Sequence, residues 1–200
     1  MEVLFPQETK IAEGAEAVIY LVELNGLKFI KKLRIEKKYR QKTLDYKLRY
    51  SRTKSEAKIL HKAKQSGVNV PYLLGVQNDF LLLEYLEGKT LNQLEKVEKR
   101  FLIQAVQYLA ALHKSNIIHG DFTFANLFLT NSSELYVIDF GLSYISNDEE
   151  DKAVDLLTLI KSLPKSQGEI VKKYYQKLYS PSIVELAKKI QKRARYEARG

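Results

Sequence analysis

Three side chains placed by two short strings could do chemistry on a phosphate. The first string is His119-Gly120-Asp121-Phe122-Thr123-Phe124-Ala125-Asn126, and the second is Ile138-Asp139-Phe140-Gly141. Phosphate oxygens are held through a hard cation such as magnesium, which takes oxygen ligands. The side-chain amide of Asn126 and the carboxylate of Asp139 supply such oxygens. A separate carboxylate, Asp121, can orient or deprotonate a hydroxyl or water that attacks the phosphorus. Together these types and spacings point to phosphoryl transfer from a nucleoside triphosphate. An isolated Asp or Asn of this kind is more often a turn residue. Both strings, in this order and at this separation, argue for the chemical reading. His119 is expected to brace the loop rather than to react.

The residues between the strings must position them. Asn126-Leu127-Phe128-Leu129 and Leu135-Tyr136-Val137-Ile138 flank a turn at Asn131-Ser132-Ser133, which predicts a β-hairpin carrying both metal ligands. Upstream, Phe101, Leu102, Ala105, Leu109 and Leu112 recur at helical spacing. They predict a long amphipathic helix between Glu95 and Lys114 that delivers the chain to Asp121. Downstream, helices are predicted from Ala153 to Pro164, around Gly168 to Leu178, and from Ser180 onward. Asp155 is placed to brace the catalytic loop from beneath.

The N-terminal part reads differently. Val18–Val22 and Leu27–Leu33 are β-rich runs joined by a tight turn at Asn25-Gly26. Before them, Gly14, Ala15 and Glu16 stand where a loop could cover phosphates; a turn glycine is the plainer account of Gly14. Lys31 and Lys32 point to opposite faces of the second strand, so one of them can grip a phosphate. A helix from Thr43 to Ser66 offers Glu56 as its carboxylate partner. The apolar run Phe80–Leu86, closed by Glu87-Gly88, reads as a strand leaving one lobe for the next. An adenine would bond there to backbone groups of Glu84 and Leu86, with Leu83 behind it.

Composition sets outer bounds. A chain of 200 residues with 45% hydrophobic side chains supports one core or two small lobes. It has no cysteine, so disulfides and thiolate metal sites are excluded. The formal charge of +9 favours polyanionic partners, RNA and nucleotides among them, although a solvated Lys-rich surface has the same charge. No run is long and apolar enough to span a membrane, and the first residues lack the layout of a signal peptide. A cytoplasmic protein is the expectation.

Read together, the strings His119–Asn126 and Ile138–Ser143, with GAEAVIY (14–20), Lys32-x-Arg34, LDYKLRYSRTKSEAKIL (44–60), GVNVPY (67–72) and EDKAVDL (150–156), resemble the small atypical kinase/ATPase subunit of the KEOPS tRNA-modification complex. The resemblance spans nearly the whole chain. It implies an α+β, bilobal protein-kinase-like fold with a minimal C-lobe and no long activation segment. The N-lobe would take residues 1–85 and the C-lobe 86–200. It implies Lys32 and Glu56 as the ion pair at the ATP phosphates, Asp121 as catalytic, and Asn126 and Asp139 as ligands of magnesium or manganese. ATP is the implied co-substrate. A threonylcarbamoyl-transferase subunit, a small regulatory subunit and tRNA are the implied partners. Lys192, Arg193, Arg195 and Arg199 are candidate contacts for tRNA or a neighbouring subunit.

Three departures from ordinary protein kinases shape the activity expected. Gly120 replaces the Arg of H-R-D, Thr123 replaces the catalytic-loop Lys, and no peptide-docking activation segment follows Gly141. An ATPase with residual Ser/Thr or autophosphorylating activity is therefore expected. The alternatives are a small-molecule phosphotransferase of aminoglycoside or choline type, which carries a larger C-terminal lobe, and a nucleotide-binding scaffold without turnover.

Overall fold

A computed structural model describes residues 7–197, with side chains to residue 194. Contacts divide the chain into two units, residues 1–61 with 71–86, and residues 62–70 with 87–200.

The first unit is built on a five-stranded antiparallel sheet in the order β1-β2-β3-β5-β4. Its strands are β1 (Gln7–Glu13), β2 (Ala17–Leu24), β3 (Leu27–Arg34), β4 (Leu73–Val76) and β5 (Phe80–Glu84). The turn joining β2 to β3 has positive φ at both Asn25 (52°) and Gly26 (77°). That twist matches the two strands it joins, which is why Asn-Gly stands there. Helix α1 (Lys42–Gln65) follows. Its first-turn Asp45 is buried and takes Arg49 at 2.8 Å and Arg40 at 3.7 Å. A carboxylate at this end also suits the helix dipole. Ala57, Ile59 and Leu60 are its buried apolar side.

Residues 62–70 group with the second unit, apart from the chain neighbours with which the sequence reading had placed them. Val68 and Val70 are buried, and the Val137 amide donates to the Asn69 carbonyl at 2.8 Å.

The second unit is mainly helical. Strand β6 (Gly88–Thr90) leads to α2 (Lys99–Lys114), whose buried side includes Phe101, Leu102, Ala105, Leu109 and Leu112. Then come β7 (Ile117–Ile118), the hairpin β8 (Leu127–Thr130) and β9 (Leu135–Val137), and β10 (Tyr144–Ile145). Strands β6, β8 and β9 form one small sheet, and β10 pairs with β7. Gly88 is required by close approach, because a Cβ there would lie 2.1 Å from the Leu129 carbonyl oxygen. Helices α3 (Glu149–Lys161), α4 (Lys165–Leu178) and α5 (Pro181–Glu197) complete the unit. The acidic run 148–151 has a local purpose. Asp148 caps α3 by accepting from the Glu150 amide at 2.8 Å, and the next three carboxylates occupy its first turn. Between Gly141 and α3 there is room only for β10. Among the described residues no helix is long and apolar enough to cross a membrane.

Candidate active site

In the first unit, strand periodicity and helix register bring three charged side chains together. Lys32 and Arg34 are two apart on β3, so they share a face. Glu56 on α1 meets both, with Lys32 Nζ 2.6 Å from Oε1 and Arg34 Nη2 2.6 Å from Oε2. All three are buried. The sequence reading paired Lys32 with Glu56 and missed Arg34. Its signal was present, a second cation at i+2 on the strand. The second cation matters physically. With Arg34 on its other oxygen, Glu56 keeps a buried counter-charge independent of Lys32. Lys31 lies on the opposite face and bonds Glu8 at 2.7 Å.

Residues 14–16 form the turn between β1 and β2, closed by the Gly14 amide on the Ala17 carbonyl at 2.9 Å. Other residues of the unit hold this turn. The Ala15 carbonyl accepts from Lys37 Nζ, and Glu16 bonds Arg52 of α1 at 2.5 Å. Glu84 ends β5 with its amide on the Tyr72 carbonyl at 2.9 Å, and Leu86 is half-buried just beyond.

In the second unit the loop that carries Asp121 is fastened from several sides. Asp155 of α3 accepts from the His119 amide at 2.8 Å and from the Gly120 amide at 3.0 Å. Its Oδ2 also lies 3.2 Å from His113 Nε2 of α2, and His113 Nδ1 lies 2.5 Å from the Tyr175 hydroxyl of α4. Burial keeps the Tyr175 phenol protonated by pushing its pKa upward. Asp155 Oδ2 is an acceptor, so the hydrogen between it and His113 lies on Nε2, which donates to it. Sequence reasoning anticipated Asp155 but not this extension through His113 and Tyr175. A histidine on the buried side of an otherwise apolar helix was the available clue.

His119 is wholly buried, and desolvation lowers its pKa. The neutral ring donates from Nε2 to the Ile138 carbonyl at 3.2 Å and accepts the Asp121 amide at Nδ1, 3.3 Å away. It packs against Phe122 and Phe140. Both ring nitrogens are thus spent on the two backbone segments that carry Asp121 and Asp139, which is a bracing role.

Gly120 has φ 81°, and a Cβ there would lie 2.5 Å from the Leu142 carbonyl oxygen. This backbone position has no room for the Arg of H-R-D. Substituting Gly120 by Ala or by Arg is expected to destabilise the chain by about 3 kcal/mol in both cases, since the clash begins at Cβ. Urea midpoints of the two variants measure this; a harmless Ala variant would contradict it.

The reacting end is compact. Asn126 Nδ2 donates to the Asp121 carbonyl at 2.8 Å and to its Oδ2 at 2.9 Å. That orientation commits the amide nitrogen to Asp121, so the Asn126 oxygen is the atom that could take a cation. Phe124, in the short 3-10 turn before Asn126, is buried, and its amide donates to Ser162 at 3.2 Å. Asp139 sits at φ 61°, and its Oδ1 accepts the Gly141 amide at 3.0 Å. Among the described residues no three acidic or imidazole groups converge on a point. One carboxylate and one amide fit a magnesium ion that keeps waters and takes its remaining ligands from a phosphate chain.

Of the tail candidates, Lys192 and Arg193 are exposed on α5, away from the loop residues in sequence and without a bond to them. The side chain of Arg195, and Arg199 altogether, lie outside the described residues.

Comparison with known proteins gives a consistent answer. Residues 12–159 match the model of the RIO domain. A probable serine/threonine-protein kinase BUD32 homolog of Archaeoglobus fulgidus is 35% identical over 95% of this chain and 97% of its own length. The Dictyostelium discoideum EKC/KEOPS complex subunit bud32 is 40% identical over 74% of the chain, which spans 64% of that relative. The chain spans 36% of a probable bifunctional tRNA threonylcarbamoyladenosine biosynthesis protein of Methanobrevibacter smithii, at 39% identity over 93% of its own length. Among solved structures, the Rio2 kinase of Chaetomium thermophilum in an ADP/Mg2+-phosphoaspartate complex has the same fold. Its TM-score is 0.67 at 14% identity, covering 94% of this chain and 71% of that one.

Proposed function

This chain belongs to the RIO-domain family of protein-kinase-like proteins, and on that premise we propose that it is a magnesium-dependent phosphotransferase that cleaves ATP. Water is the main acceptor, and Ser/Thr hydroxyls, its own included, are secondary ones. The observation that carries this reading is the Asp121–Asn126 pair, held in register by two hydrogen bonds on a loop fastened by Asp155.

Each role rests on geometry within its own unit. Lys32, with Glu56 shared by Arg34, takes the α- and β-phosphates. The Asn126 oxygen and the Asp139 carboxylate would hold a magnesium ion, which would supply charge neutralisation for the phosphate oxygens. Asp121 orients the attacking oxygen and accepts its proton as the bond to phosphorus forms; the β–γ bridging oxygen leaves on ADP. Positioning and charge neutralisation supply the rate enhancement. Adenine is proposed to bond backbone groups of Glu84 and Leu86, beneath the turn of Gly14, Ala15 and Glu16.

We read this activity as serving tRNA modification, a reading supported by the relatives named for KEOPS and for tRNA threonylcarbamoyladenosine biosynthesis. The partners are then a threonylcarbamoyl-transferase subunit and a small regulatory subunit in the cytoplasm. Lys192, Arg193, Arg195 and Arg199 are assigned to tRNA or to a neighbouring subunit.

The test is phosphate release from γ-labelled ATP by the chain alone, then with tRNA and the transferase subunit. Release that needs magnesium, rises with partner and tRNA, and falls about a hundredfold in Lys32→Met supports the reading. Label appearing on protein with little free phosphate would favour a protein kinase. ATP binding with no turnover in any mixture would leave a nucleotide-binding scaffold.

A further inference from the structure

Helix α1 has two carboxylates, Asp45 and Glu56, and both are buried in ion pairs. The charged side chains left on its exposed side up to His61 are all basic. At 3.6 residues per turn, Tyr46, Lys47, Tyr50, Lys54 and Lys58 fall within about 120° of arc, so they form one strip. The Tyr46 and Tyr50 rings lie 13° from parallel with centroids 6.4 Å apart, and Lys54 Nζ sits 4.2 Å from the Tyr50 centroid. Just before the helix, Tyr39 is 78% exposed with the Arg40 guanidinium 5.3 Å from its ring centre.

Lysines alone on a helix are ordinary solvated charge. An exposed Tyr46 ring aligned with a half-buried Tyr50 beside them is not, because an exposed ring face gains nothing from solvent. Single-stranded nucleic acids need both parts, aromatic faces on which bases stack and cations at the reach of the adjoining phosphates. An acidic peptide would use the lysines and leave the rings idle.

We propose that this strip of α1 binds a single-stranded RNA segment, with bases stacked on Tyr46 and Tyr50 and phosphates on Lys47, Lys54 and Lys58. The choice of RNA over DNA rests on the tRNA reading above; the strip itself is independent of ATP chemistry.

Fluorescence anisotropy with a labelled single-stranded oligoribonucleotide of about twelve residues, on the full chain, tests this. In the triple variant Lys47→Gln/Lys54→Gln/Lys58→Gln, affinity should fall at least tenfold at about 0.1 M salt, and the salt slope should become shallower by about two. In Tyr46→Leu/Tyr50→Leu, affinity should fall about tenfold with the slope unchanged. ATP binding, measured in parallel, should stay at the wild-type level in both. Unchanged RNA affinity in either variant overturns the proposal. So does a loss confined to Lys192→Gln/Arg193→Gln on α5, or polyglutamate displacing the probe as well as unlabelled RNA does. RNA binding in a chain that never turns over ATP would uphold this site and remove the phosphotransfer reading instead.

Discussion

Replacing Asp121 by Asn is expected to cut the rate of ATP cleavage about a thousandfold, a loss of about 4 kcal/mol in transition-state stabilisation. The substitution is well suited to isolating chemistry from shape. Asn126 Nδ2 donates to the backbone carbonyl and to one side-chain oxygen of Asp121, and the replacement amide keeps an oxygen to receive the second bond. The buried bracing by His119 acts on the backbone and is untouched. What disappears is the negative charge proposed to accept the nucleophile's proton. Single-turnover phosphate release should therefore show kcat collapsing while KM for ATP and the melting temperature hold. A variant that cleaves ATP at the wild-type rate would remove Asp121 from the chemistry.

The second large effect is on stability. Asp155→Ala removes the acceptor of three donors at once, the buried His119 amide and His113 ring N–H and the part-buried Gly120 amide. Each buried donor left without a partner costs about 1–3 kcal/mol, and the three share one site, so the sum is less than additive. A loss of about 4 kcal/mol is expected, seen as a melting temperature lower by roughly 10 °C for a chain of this size. Activity should fall with it, because the loop that carries Asp121 loses its anchor. Thermal unfolding followed by circular dichroism measures the first, and phosphate release below the transition measures the second. An Asp155→Ala protein as stable as wild type would show the bonds to be incidental.

The candidate residues Asp121, Asn126 and Asp139 were readable in the sequence because hard oxygen ligands are few in type and stand at fixed spacing, and the structure joins two of them, Asn126 and Asp121. The β2–β3 turn was equally legible, since Asn25-Gly26 states its own backbone conformation. Other features were hidden because their cause is tertiary. Arg34 looks like any strand cation until Glu56 is seen to have two oxygens to satisfy. His113 and Tyr175 lie on different helices, and no local pattern announces that they meet. The acidic run at 148–151 shows its purpose only in the fold, where α3 uses it as an N-terminal cap and first turn. Residues 62–70 belong by contacts to the second unit because Val68 and Val70 are buried there, which chain order alone cannot show.

The left-handed backbone at Asp139 has a consequence for how a gene of this kind can decay. At φ 61° most side chains are strained, and Asp, Asn and Gly are the residues that tolerate the position. Asn and Gly are each a single nucleotide change from Asp. The substitutions that drift reaches most easily there are thus the ones the main chain accepts without moving. Descendant copies can lose the carboxylate in one step, and Asn would still offer an oxygen to the Gly141 amide. On the function proposed above, Asn at this position in a sister sequence would mark a copy whose architecture has outlived its reaction.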